Sequence, residues 1–152
     1  MATRSTIAIE FADGTVQQVY CHWDGYLEHN GKILQDHYMD PFKVRELTDL
    51  GGISSLAPNI GVQHPFSKFE CKDGEYDEAA YEGMTTFYAR DRGEDLHISK
   101  FADYADYRKN AQFEEYNYIL RQVDGKAVWF VEFYGQFDGP LTQAFEFQAK
   151  AA

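Results

Sequence analysis

The stretch Val19-Tyr20-Cys21-His22-Trp23-Asp24-Gly25-Tyr26 decides how this chain folds. Its first half completes an alternating run that begins at Val16. Successive side chains of a strand point to opposite sides, so Gln18, Tyr20 and His22 share one face and Val19 and Cys21 the other. Asp24-Gly25 closes the strand. The spacing then lengthens: Leu27, Leu34 and Tyr38 recur at helical intervals and predict a helix over Leu27 to Tyr38. Gly31 lies on the same stripe. An interior glycine costs about 1 kcal/mol against alanine, so close packing of this face on a sheet is the reason to keep it.

Upstream, Thr6 to Phe11 reads as a strand, and Asp13-Gly14 is a turn whose glycine accepts positive φ. The two strands form a hairpin. Downstream, Asp40-Pro41 opens a second helix with an N-cap acceptor and a proline at the first position. Val44, Leu47 and Leu50 are its buried stripe, and Gly51-Gly52 ends it. Ile53 to Glu70 has no period and reads mostly as loop. Glu70 to Glu82 reads as an exposed loop or a short helix near Glu78 to Tyr81. Met84 to Arg90 is expected as a strand, Leu96 to Ser99 as a short strand, and Phe101 to Phe113 fits a helix only ambiguously. Glu115 to Gln122, Ala127 to Tyr134 and Leu141 to Phe147 are expected strands, the first two joined at Asp124-Gly125. Strands and helices are segregated, which indicates an α+β fold. The expectation is an antiparallel sheet with an N-terminal hairpin, two adjacent helices packed on it and a C-terminal β-meander, all in a single domain, 1–152.

The chain has 152 residues, and 14 Lys and Arg against 25 Asp and Glu give a formal charge of −11. Such a balance argues against a nonspecific binder of the phosphate backbone and fits either solubility or a basic partner drawn by the field. Aromatic residues make up 16% of the chain, which favours sheet structure and large flat contacts. Cys21 and Cys71 match no zinc spacing and form no disulfide framework. No stretch resembles a signal peptide or reaches membrane-spanning length, so the expected compartment is the cytoplasm, with reduced thiols.

Four groups of residues could carry chemistry. Cys21, His22, Asp24 and His29 crowd the organising turn, but Cys21 and His22 point to opposite faces of a strand and cannot readily share a metal. Arg90 and Arg92, beside Tyr88 and Gly93, could clamp a phosphate or carboxylate, or simply pair with Glu94 and Asp95 in a charged turn. The aromatic set Tyr20, Trp23, Tyr26, Tyr116, Tyr118, Trp129 and Tyr134 could stack on a base if it lined a concave face, or could be core. Ser54 and Ser55 lack a nucleophile-elbow context. No phosphate-binding glycine loop occurs. The sequence therefore assigns no catalytic residue, metal or cofactor.

Thr3-Arg4-Ser5, Asp13-Gly14 and the Tyr20-Cys21-His22-Trp23-Asp24-Gly25-Tyr26 core resemble a group of small proteins of tailed bacteriophages and prophages. The likeness runs on through Gly31, Leu34, Tyr38, Val44, Leu47, Gly51 and Ile53-Ser54-Ser55-Leu56. It returns at Tyr88-Ala89-Arg90-Asp91-Arg92-Gly93-Glu94 and around Tyr116 to Trp129. The resemblance implies phage origin and the host cytoplasm, and it carries over no functional residue.

Three functional expectations follow. The first is a phage accessory protein that binds a host anti-phage defence component, a CRISPR- or restriction-type complex with a basic surface. Contact would be through Glu70, Asp73, Glu75, Asp77, Glu78, Glu82, Glu94 and Asp95 rather than with nucleic acid or membrane directly. The second is a protein that sequesters a nucleotide or other small immune signal through His22, Trp23, Asp24, Tyr26, Tyr88, Arg90 and Arg92. The third is a small enzyme using His22 and Asp24 as an acid–base pair. A homodimer would cover exposed aromatic residues.

Overall fold

The computed structural model describes residues 2–72 and 74–151. Strands β1 (Ser5–Glu10) and β2 (Val16–Cys21) form the N-terminal hairpin, with Ser5 opposite Cys21 and Glu10 opposite Val16. Beyond β2 the chain turns through Asp24 at φ 56°, a left-handed conformation that a short polar side chain tolerates. Gly25 then crosses the start of β1. Its N–H donates to the Thr3 carbonyl at 2.8 Å, and a Cβ there would sit 2.6 Å from Ser5 Cβ, so only glycine fits.

The first expected helix is present as a π-helical turn, Leu27–Gly31, running into α1 (Lys32–His37). A Cβ on Gly31 would lie 3.3 Å from Tyr118 Oη, the close approach to the sheet that its place on the stripe suggested. Helix α2 (Pro41–Asp49) begins at Asp40, whose carboxylate accepts the Phe42 N–H at 3.0 Å. Then come β3 (Ile53–Ser55), a 3-10 turn at Lys68–Glu70, α3 (Glu78–Tyr81), β4 (Thr86–Phe87), α4 (Tyr88–Arg92) and β5 (Ser99–Phe101). The chain ends with α5 (Tyr104–Asn110), β6 (Tyr116–Val123), β7 (Lys126–Phe133), β8 (Phe137–Pro140) and α6 (Leu141–Ala151).

The fold is α+β, but the sheet is mixed rather than antiparallel throughout. Its order is β4-β3-β2-β1-β6-β7-β8, with β5 also pairing β2. β1 runs parallel to β6, and β2 parallel to β3. β2 and β3 are joined by a helical crossover through α1 and α2, the connection that parallel pairing requires, whereas β1 meets β6 across four intervening strands of the same sheet. The C-terminal meander β6-β7-β8 is antiparallel.

Three expected strands are corrected. Only Thr86 and Phe87 of Met84 to Arg90 are extended, because the Asp91 carboxylate accepts the Phe87 N–H at 2.8 Å and winds the chain into α4. Leu141 to Phe147 lies in a helix that buries Leu141 and Ala144, at helical spacing. The short strand expected over Leu96 to Ser99 lies further on, at β5.

One face of the sheet supplies Ile7, Ile9, Val19, Cys21, Tyr118, Leu120, Trp129 and Val131 to the main core. It packs against Leu27, Leu34, Tyr38, Val44, Leu47 and Leu141 of the helices. The other face supplies Ala8, Val16 and Ile119 to a smaller core under Tyr107 of α5. Tyr118 donates its hydroxyl to the Gly25 carbonyl at 2.7 Å, and Trp129 Nε1 donates to the Tyr38 carbonyl at 3.0 Å. The organising turn and the end of α1 are thereby pinned to the middle of the sheet.

Candidate functional site

The turn does not converge into a reactive centre. Cys21 is buried under Asn30, whose Nδ2 donates to Ser5 Oγ at 3.2 Å and Cys21 Sγ at 3.3 Å. Burial pushes the thiol up to about 11, so it is neutral and unreactive near neutral pH. His22 stands on the opposite face, with Nδ1 2.7 Å from Tyr20 Oη and its ring edge-on to Trp23 at 4.7 Å. Among the described residues no hydrogen bond joins His22 to Asp24. The Asp24 carboxylate instead lies beside Tyr26 and raises its phenol. His29 Nδ1 pairs with Asn30 Oδ1 at 2.8 Å. Among the described residues no three His, Cys, Asp or Glu side chains gather so as to hold a metal ion.

The two arginines have different fates. Arg90 is committed inward: Nη1 donates to the Ile60 and Gly61 carbonyls at 3.0 and 3.2 Å, Nη2 to the Thr85 carbonyl at 2.8 Å, and Nε to Asp91 Oδ1 at 3.0 Å. Its guanidinium lies 4.5 Å from the centre of the Phe87 ring. Asp91, fully buried at its side chain, also accepts the His64 N–H at 3.1 Å. His64 is itself buried, with Nδ1 2.8 Å from the Val62 carbonyl, Nε2 3.1 Å from Thr86 Oγ1, and its ring stacked on Tyr81 at 5.3 Å. Arg90, Asp91 and His64 therefore form a polar knot that fastens the 60–64 segment to β4 and α4. Sequence reading named the arginine without its role and missed His64 altogether, because the bonds are to backbone atoms remote in sequence.

Arg92 faces outward. It lies 3.6 Å from Glu70 and 3.7 Å from Glu94, with Phe66 stacked beneath its guanidinium at 4.3 Å. The pairing with Glu94 is the charged-turn arrangement, and Tyr88 packs nearby against Phe66. Arg92 thus draws two acidic runs, distant in sequence, to one corner. Glu70, Glu75, Asp77, Glu78, Glu82, Glu94 and Asp95 are all exposed. Asp73, expected in the same set, lies outside the described residues. Asp77 also caps α3, accepting the Ala80 N–H at 3.2 Å. Between Lys68 and Asp95 the sequence holds nine carboxylates against four cations, and Asp91 already neutralises one of those cations, so the local field is negative. Phe69, next to Glu70 in the chain, stands 89% exposed.

Two grooves escaped the sequence reading. One, of about 730 Å³, opens between the β1–β2 turn, α2 and β5. The other, of about 670 Å³, lies by the β7–β8 turn and includes Glu114, Glu115, Glu132 and Tyr134. Neither is lined by His22, Trp23, Asp24, Tyr26, Tyr88, Arg90 or Arg92. Among the described residues no helix is long and apolar enough to cross a membrane. Compared with known protein families, curated proteins and solved structures, the chain matches none.

Proposed function

We propose that the protein is a phage accessory protein that works by binding. Its acidic corner covers a basic surface on a host anti-phage defence component, a CRISPR- or restriction-type complex, and blocks the nucleic-acid contacts made there. The observation that carries this reading is the corner itself. Glu70, Glu75, Asp77, Glu78, Glu82, Glu94 and Asp95 are all exposed, Phe69 is exposed beside Glu70 in the chain, and Arg92 bridges Glu70 and Glu94. An acidic field steers association with a basic groove, and an exposed ring supplies an apolar anchor within it. Two facts weigh against the rival readings: Arg90 is spent on internal carbonyls and Asp91, and His22 pairs with Tyr20 rather than Asp24.

The test is affinity capture from host lysate with the wild-type chain and with a Glu75→Lys, Asp77→Lys, Glu78→Lys variant, read by mass spectrometry. A nucleic-acid-binding complex retained by the wild type and lost by the variant is expected. Equal retention by both would remove the acidic corner from the account.

A further inference from the structure

We propose that the groove by the β7–β8 turn is a second docking site, which takes an arginine side chain carried on an exposed segment of a partner protein. It shares no residue with the acidic corner, so the two readings stand or fall separately. Its volume of about 670 Å³ lies within the range of ligand-sized sites, roughly 300–1,000 Å³. Its charge selects a cation. Glu114, Glu115, Glu132 and Asp138 line it against one cation, Arg108, a far larger excess of acid than the 25 against 14 of the whole chain. Arg108 is already paired with Asp138. The other three carboxylates have no ion-pair partner among the described residues. Glu132 accepts from Asn117 Nδ2 at 2.9 Å and from the Gly135 N–H at 3.2 Å, and Glu115 accepts from the Tyr134 hydroxyl at 3.4 Å. These donors are neutral, so four carboxylates less one guanidinium leave the groove three negative charges in excess.

The rings select a guanidinium among cations. Phe113, Tyr134 and Phe137 share the lining with the carboxylates. Tyr134 stands 58% exposed, at φ 53°, a left-handed conformation that bulky side chains rarely adopt. Its ring lies edge-on to Tyr116 at 5.5 Å and its hydroxyl meets Glu115, so an uncovered ring and a carboxylate stand side by side. A planar guanidinium uses that pairing fully, stacking on the ring while its N–H groups bond the carboxylate. The groove already holds one guanidinium in this manner: Arg108 lies 5.8 Å from the centre of the Phe113 ring while it pairs with Asp138. An incoming arginine repeats the arrangement with Tyr134, Glu114 and Glu115. Free arginine would bring a carboxylate into this negative field, whereas a side chain within a polypeptide brings none.

Titration of the full chain with the blocked peptide acetyl-Gly-Arg-Gly-amide, followed by backbone amide shifts, tests this. Saturable shifts are expected at residues 113–115 and 132–138. Citrulline in place of the arginine keeps the shape without the charge and should weaken binding about tenfold, and lysine about threefold. Free arginine should bind more weakly than the peptide. Glu114→Gln together with Glu115→Gln should weaken the peptide about fivefold, and Tyr134→Gly, which the left-handed backbone accommodates, about threefold. Glu75→Gln, in the acidic corner, should leave it unchanged. Non-saturable shifts, equal affinity for the arginine and citrulline peptides, lysine or free arginine binding as tightly as the arginine peptide, or affinity unaltered by the groove variants would each overturn the proposal. Shifts confined to the acidic corner, with binding weakened by Glu75→Gln, would overturn it while leaving the role of that corner intact.

Discussion

The centre of the sheet and the corner that bears the acids are held by opposite means. β1, β6 and β7 are fixed by continuous ladders and by large buried side chains such as Trp129, Tyr118 and Leu120. The segment from Ile60 to Asp95 offers short elements and few buried apolar groups, and is fastened chiefly by one polar knot at Arg90, Asp91 and His64. A ladder built on apolar burial is cooperative and tolerant of surface charge. A knot built on a buried carboxylate depends on every partner being present, because an unpaired buried charge costs more than a paired one returns. The segment that bears most of the acids thus hangs on a few buried polar contacts rather than on the central ladders.

The contrast predicts a graded series. Trp129→Ala removes the largest fully buried side chain and its bond to the Tyr38 carbonyl. It is expected to cost about 4 kcal/mol in denaturant unfolding and to loosen the whole sheet. Asp91→Ala strands Arg90 and frees the His64 and Phe87 amides, at about 3 kcal/mol. Hydrogen exchange should show that loss at residues 60–64 and 85–87 while β6 and β7 stay protected. Equal deprotection of both regions would erase the distinction.

Alkaline pH attacks the sheet side of the comparison. Burial raises the Cys21 thiol from 9.0 to about 11 and Tyr38 from 10.0 to about 12, and also raises Tyr118. The folded state then holds protons that the unfolded chain releases. This stabilisation is intact below the unfolded values and is lost as pH climbs from about 9 towards 12. Unfolding free energy measured against pH should fall across that window, and Cys21→Ala should shallow the fall near its start. The smallest effect is expected from Asp40→Ala, about 1 kcal/mol for the lost cap of α2, with the acidic corner untouched.

The legibility of the sequence follows the same division. The hairpin, the Asp40-Pro41 helix start, the Gly31 approach and the β6–β7 pair could be read because each depends on local alternation, a cap or a turn residue. The parallel neighbours of β1 and β2 could not, since they are chosen by contacts between segments far apart in the chain. Helix α6 replaces the expected strand: Leu141, Gln143, Phe145 and Phe147 alternate, but Gln, Ala, Glu and Lys around them are strong helix formers, and that propensity is the signal that prevails. The acidic residues were visible as composition. The bridge from Arg92 to Glu70 and Glu94 was not, because its Glu70 arm spans 22 residues and has no local signature. The groove between the β1–β2 turn, α2 and β5 left one trace in the chain, Phe42, an aromatic residue off the buried stripe of its helix.

The most direct measurement is the salt dependence of binding to the host complex captured by the wild-type chain, compared with the Glu75→Lys, Asp77→Lys, Glu78→Lys variant. The account predicts wild-type affinity that falls steeply as salt rises, and a variant that stays folded, loses about 1 kcal/mol with the Asp77 cap of α3, and binds weakly with a much shallower slope. Identical slopes for the two folded proteins would contradict it.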